Sequence, residues 1–334
     1  MTNFGFGNIA LPFDNRIGAC ANVAFDNKAD EILQLVVSIT GGGLFHTIRH
    51  ANGAWDRFGN VKAAIGSDPG EFFDVDTQAT LGVFNHVVGV VRGNRLFHTI
   101  RTDLGWTPFE DVNSLTGAQF TNFAQVGLAN VNGDLHVCAT TIQGGVLHAI
   151  RYQNGNWTGF GDVLAATGGS PGFIMDVDCA GFGSDLQIAM TSIDGKLFHA
   201  IRLGNSAWTG LGDVENAAGQ IGTARKVTVT NFVGELNLTT VTNIPLSVQF
   251  NTIRHSNGSW GPFVTPPNNI TVYDQAAAGA QDFLHLLSID LTGVIMHRTR
   301  DTVANWGPVG NVYTAAGGSP GSAVGIGATT SLGF

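Results

Sequence analysis

Charge is scarce in this chain: Asp, Glu, Lys and Arg make up 12% of its 334 residues, about half the usual share. The balance is −9, and Lys and Arg form no basic run. Nucleic acid is therefore not expected as a partner, because phosphate binding needs clustered cations. No apolar run approaches the ~18 residues that cross a bilayer, so membrane insertion is not expected either. Cysteine is limited to Cys20, Cys138 and Cys179. An odd number in apolar, strand-like surroundings, without CxxC or Cys/His spacing, reads as buried free thiols and implies no metal or cofactor. The start, Met1-Thr2-Asn3-Phe4-Gly5-Phe6, has neither a basic nor an apolar leader segment. No secretory signal is expected, which leaves the cytoplasm or export by a non-classical route.

What the chain does have is repetition. Leu44-Phe45-His46-Thr47-Ile48-Arg49, followed by Trp55, returns as Leu96-Phe97-His98-Thr99-Ile100-Arg101 with Trp106. It returns again as Val146-Leu147-His148-Ala149-Ile150-Arg151 with Trp157, and as Leu197-Phe198-His199-Ala200-Ile201-Arg202 with Trp208. Two weaker copies end in Arg254 with Trp260 and in Arg300 with Trp306. All six tryptophans share this register, at spacings of 51, 51, 51, 52 and 46. The 46 glycines recur at fixed places in the repeat and read as turn residues.

Each unit carries four short segments rich in β-branched and aromatic residues, bounded by Gly, Asn, Asp or Pro. In the first unit they fall near 18–26, 31–40, 43–49 and 55–61, giving repeats at about 18–61, 71–112, 120–163, 171–214, 224–266 and 270–312. Asn52-Gly53, Asn154-Gly155 and Asn257-Gly258 supply tight hairpin turns between the third and fourth strands. Pro-Gly turns such as Pro171-Gly172 return the chain to the next unit. Tandem four-stranded units of about 50 residues predict one all-β domain over 1–334, a β-propeller of antiparallel blades with few helices. The blade number stays open on counting alone. The pieces at 1–10 and 322–334 look like a fourth and a first strand of a further blade, so either six blades carry spare ends or a seventh is half filled.

Arg49 closes one strand and Trp55 opens the next across a short turn, so each Arg–Trp pair is expected on adjacent strands near one rim. An indole can pack on the apolar face of a pyranose while a guanidinium donates to its hydroxyls. The candidate sugar-binding residues are thus Arg49, Trp55, Arg101, Trp106, Arg151 and Trp157, with Arg202, Trp208, Arg254, Trp260, Arg300 and Trp306. Packing between blades is the competing role for the tryptophans. The mid-strand histidines read as hydrogen-bonded groups between blades. The arginines have a rival partner in Asp111, Asp162 and Asp213 of the Phe-Gly-Asp-Val-like segments. No unique carboxylate pair, Gly-x-Ser-x-Gly elbow or HExxH helix is present, and Ser192-Ile193-Asp194-Gly195 only grazes a sialidase Asp-box. Repetition of like groups points to binding and not to an enzyme.

The combination of Leu-Phe-His-Thr-Ile-Arg, Asn-Gly, Trp, Phe160-Gly161-Asp162-Val163 and Gly-x-Pro-Gly resembles the bacterial propeller lectins typified by the Photorhabdus fucose-binding lectins. The resemblance covers nearly the whole chain. It implies a seven-bladed propeller, with six blades as the alternative, and several sites for fucose or O-methylated sugars. The fifth unit departs from the pattern, with Asn251 in place of His and Pro245 in the preceding turn. The expected function is a multivalent lectin with glycans or glycoconjugates as partners, and a protein-binding scaffold is the alternative. A homo-oligomer stays open.

Overall fold

The computed structural model describes residues 31–81, 84–243, 247–268, 270–280 and 282–330. Six antiparallel sheets follow one another around an axis. Alternation of β-branched residues with turns makes each blade a meander, and both faces of its central strands are apolar because each blade is wedged between two others. Leu33, Leu35, Val36 and Val37 are all fully buried. The innermost strands are Phe72–Thr80, Phe123–Val131, Ile174–Phe182, Ala224–Phe232, Val272–Ala280 and Ala323–Thr329. Each lies against the next, and the last lies against the first, so they close a ring.

This closure corrects the seven-bladed expectation to six. The tail does not begin a further blade. Ala323–Thr329 pairs antiparallel with Glu31–Ile39, matching Val36 with Gly327 and Val37 with Ile326, and becomes the inner strand of the first blade. The two ends of the chain thereby share one sheet, with no blade left half filled among the described residues. The expected strand at 18–26 and the head segment at 1–10 lie outside the described residues.

The third-to-fourth-strand hairpins form as expected. The Asn52, Asn154 and Asn257 side-chain oxygens accept from the backbone two residues on, at 2.9, 3.0 and 2.9 Å. After five of the six tryptophans, Trp260 being the exception among the described residues, the chain makes a short pairing and then one helical turn, at Val61–Ile65, Val112–Leu115, Val163–Thr167, Val214–Ala218 and Val312–Ala315. Asp111, Asp162 and Asp213 cap these helices, each accepting from a backbone N–H three residues on. N-caps are what short acidic side chains do best before a helix. The expected pairing of these aspartates with the repeated arginines is therefore not found among the described residues: Asp111 pairs with Arg95 instead.

Glycine sets how closely the inner strands approach. A Cβ on Gly181 would stand 1.9 Å from the carbonyl oxygen of Asn130 in the neighbouring blade. A backbone atom cannot swing aside as a side chain can, so Gly181→Ala must push neighbouring inner strands away from each other. Urea unfolding of this variant is expected to show a loss of about 1–3 kcal/mol, the usual scale for overpacking.

Candidate functional site

The six Arg–Trp pairs sit directly opposite one another on adjacent strands. Arg49 bridges Trp55, and Arg151, Arg202, Arg254 and Arg300 bridge Trp157, Trp208, Trp260 and Trp306. Arg101 pairs with Trp106 in the same way. Directly opposite residues point to the same face of the sheet. Here that face meets the preceding blade.

The tryptophan of one blade packs edge-to-face with the third-strand histidine of the blade before it. Trp106 meets His46 at 5.4 Å between ring centres, Trp157 meets His98 at 5.6 Å, and Trp208 meets His148 at 5.7 Å. Trp260 meets His199 at 5.4 Å, and Trp55 closes the ring on His297 at 5.6 Å. Each contact bridges a blade boundary, forming a notch with an indole, a guanidinium and an imidazole. Five of the tryptophans also rest against blade cores, so the packing role has a real basis. All six nevertheless remain only half-buried, leaving some of each indole for another contact.

The histidines bond within their own blades. His46 and His199 pair with Gln34 and Gln187 at 2.6 and 2.9 Å. His98, His148 and His297 pair with His86, His136 and His285 at 2.9, 3.0 and 2.9 Å. Their contact between blades is with Trp, so the hydrogen-bonded inter-blade expectation is half right. Burial is the leading cause that depresses their basicity, and the arginine of the next blade adds to it. His46 is pushed down to about 3 by burial and Arg101, and His199 to about 3 by burial and Arg254. At neutral pH each such notch holds a neutral imidazole beside a guanidinium.

The notches are not equal. Between the second and third blades, Glu110 occupies a place that is Gly59, Gly161, Gly212 or Gly310 in other blades. It bonds His98 Nδ1 at 3.0 Å, and the His98 hydrogen bond holds its carboxyl below the usual range despite burial. In the same notch the Trp157 Nε1 and Arg151 Nε donors are buried without a partner among the described residues. Such groups are costly unless something accepts from them. Sequence reading passed over Glu110, although its signal was there: it is the lone acid at a glycine position. The second-strand partners Gln34, His86, His136, Gln187 and His285 were also missed, and they too recur in register.

Between the fifth and sixth blades the pattern breaks. Asn251 is fully buried and donates to Leu238 O and Thr239 Oγ1, both at 3.1 Å. Arg300 is only 7% exposed, with its Nη1 on Asn237 Oδ1 at 2.9 Å. Trp306 lies under Arg298 at 5.9 Å, with no histidine contact. Arg300 is thus turned into the protein, while the other repeated arginines are more exposed.

Fold and notches together define a six-bladed propeller with a repeated notch at its blade boundaries. Several solved structures share the fold. Aleuria aurantia lectin, in complex with α-methyl-L-fucoside, aligns with a TM-score of 0.55 at 12% identity, over 84% of this chain and 96% of its own. The BP39L lectin of Burkholderia pseudomallei aligns with a TM-score of 0.61 at 13% identity, over 85% of this chain and 81% of its own. AofleA of Arthrobotrys oligospora aligns at 0.60 and 12% identity, over 91% and 90%. No family model matches the chain, and no curated protein matches it in sequence.

Proposed function

We propose that this protein is a multivalent lectin, a non-enzymatic binder of glycans that takes fucose or a related O-methylated sugar in its inter-blade notches. The observation that carries this reading is the half-exposed indole paired with a guanidinium and repeated around the ring. The shared fold with the fucoside-bound Aleuria lectin supports it, as does the resemblance of the repeat to the Photorhabdus-type lectins. In each notch the indole covers the apolar C–H face of a sugar ring and Arg donates to a hydroxyl. The notch of Arg151 and Trp157 is the strongest, because it sets the Glu110 carboxylate beside two buried donors that a sugar hydroxyl could satisfy. The notch of Arg300 and Trp306 is the weakest, because its arginine is committed to Asn237. Separate notches on one ring gain avidity of about 10²–10⁴ when a glycan array matches their spacing.

Glycan-array screening followed by titration calorimetry tests this. Trp157→Ala is expected to weaken binding at its notch about tenfold or more, equivalent to about 1.4 kcal/mol, and to lower the apparent site number. Trp306→Ala is expected to leave sugar uptake unchanged. Folded protein that binds no glycan and agglutinates no cells would sink the lectin reading in favour of a protein-binding scaffold.

A further inference from the structure

A second cavity lies on the axis, away from every notch. It opens on the rim where the inner strands begin, opposite the Asn-Gly hairpins, and encloses about 440 Å³. The bulges between Phe72 and Asp74, Ile174 and Asp176, Ala224 and Lys226, and Val272 and Asp274 shape it. A bulge re-aims neighbouring side chains, and here one residue is sent to the mouth and the next into the lumen.

The mouth has an alternating wall. Every second blade places a large apolar residue there: Phe73 is 37% exposed, and Met175 and Tyr273 are each 43% exposed. The matching positions in the other blades are Ala124, Arg225 and Val324. Arg225 lies over the Tyr273 ring at 5.8 Å and is anchored through Nη2 to Val272 O at 2.9 Å. Its Nε donor is buried without a partner among the described residues. The floor is formed by Asp74, Gln125 and Lys226.

We propose that this funnel is a separate binding site for one neutral, polyhydroxylated ring such as a pyranose. Three exposed apolar side chains that belong to none of the blade core clusters converge on one cavity, and two of them are aromatic platforms for C–H faces. Lys226 is already committed to Gln125, Asp176 and Asp274, so a hydroxyl meets its acceptor in the Asp74 carboxyl of the floor and its donor in Arg225 Nε at the mouth, which suits a group that both donates and accepts. A charged ligand fits worse. An anion meets Asp74, and a cation meets Lys226 and Arg225. The volume falls within the ~300–1,000 Å³ of small-molecule pockets, and apolar walls with few polar groups are their usual lining. The site shares no residue with the notches, so it does not rest on the lectin reading.

Methionine methyl NMR tests it on the full chain. Of the four methionines, Met175 stands in the funnel wall and Met190 is fully buried in a core cluster. The methyl α-glycosides of fucose, galactose, glucose and mannose are titrated separately. The expected result is a saturable shift of the Met175 methyl with at least one of them, while Met190 stays still and reports an intact fold. The apparent affinity should fall at least tenfold in Tyr273→Ala and in Phe73→Ala, and stay unchanged in Trp157→Ala. A Met175 signal unmoved by all four glycosides overturns the proposal. So does a shift that persists undiminished in both funnel variants. Loss of binding at the notches, read by tryptophan fluorescence, leaves the Met175 result intact and so separates the two readings.

Discussion

Lys226→Met is expected to destabilise the propeller by about 3–5 kcal/mol, the scale for removing one partner of a buried ion pair. Lys226 reaches into the axis from the fifth blade, with its side chain only 16% exposed. Its Nζ lies 3.0 Å from Asp176 of the fourth blade and 3.3 Å from Asp274 of the sixth, and it also donates to Gln125 of the third. Burial works against its charge, but Asp176, Asp274 and Asp74 outweigh burial and raise its pKa. One ammonium thus holds carboxylates that three inner strands bring together. Methionine has similar length and no charge, so it keeps the packing and strands those carboxylates. The loss should be largest above pH 7 and shrink as the pH falls, because the stranded aspartates can then be protonated. Urea unfolding of both proteins at pH 8 and pH 5.5 checks this, and an equal loss at both would refute the ionic account.

The wild-type protein is expected to be most stable near pH 6.5–7 and to lose several kcal/mol by about pH 4.5, from the linkage between protonation and folding. Eight of its ten histidines have depressed basicity, with burial as the leading cause. Besides His46 and His199, His285 is pushed down to about 3 and His136 to about 4. The sign follows from the depression. The stabilisation is complete above the ordinary value of about 6.5 and drains away as pH falls from there through the folded-state values. The axial aspartates run the other way. Burial raises Asp74 and Asp178 to about 7 and also raises Asp76 and Asp274. Their contribution is present below about pH 4 and is lost as pH rises through about 7. Each group contributes at most about 1.4 kcal/mol per pH unit. Below pH 6.5 eight histidines therefore outweigh four aspartates. Melting temperatures measured from pH 8 to pH 4 should trace this maximum. A melting temperature that climbs steadily from pH 7 to pH 5 would mean that the aspartates dominate.

The chemistry of the notches was partly legible from residues alone. The pairing of Arg49 with Trp55 is local, set by an Asn-Gly turn that leaves few conformations. What the indole meets on its far side was not legible, because His297 reaches Trp55 only when the last blade closes on the first. The fate of the Phe-Gly-Asp-Val aspartates was misjudged for a similar reason. Charge complementarity with Arg was plausible, but the backbone N–H groups of the following helix were closer. Glu110 shows the reverse case, a departure at a glycine position that a comparison of the copies could have found.

By itself, the sequence determined the repeating four-stranded unit, its turns and the cross-strand Arg–Trp pairs. These depend on side-chain alternation and turn residues within a few positions of one another. Only the tertiary structure decided that the ring has six blades, since that rests on Ala323–Thr329 pairing with Glu31–Ile39 from the other end of the chain. It also decided that Arg300 turns inward and that Lys226 fills an acidic axis, because burial and long-range pairing select those partners and no local pattern encodes them.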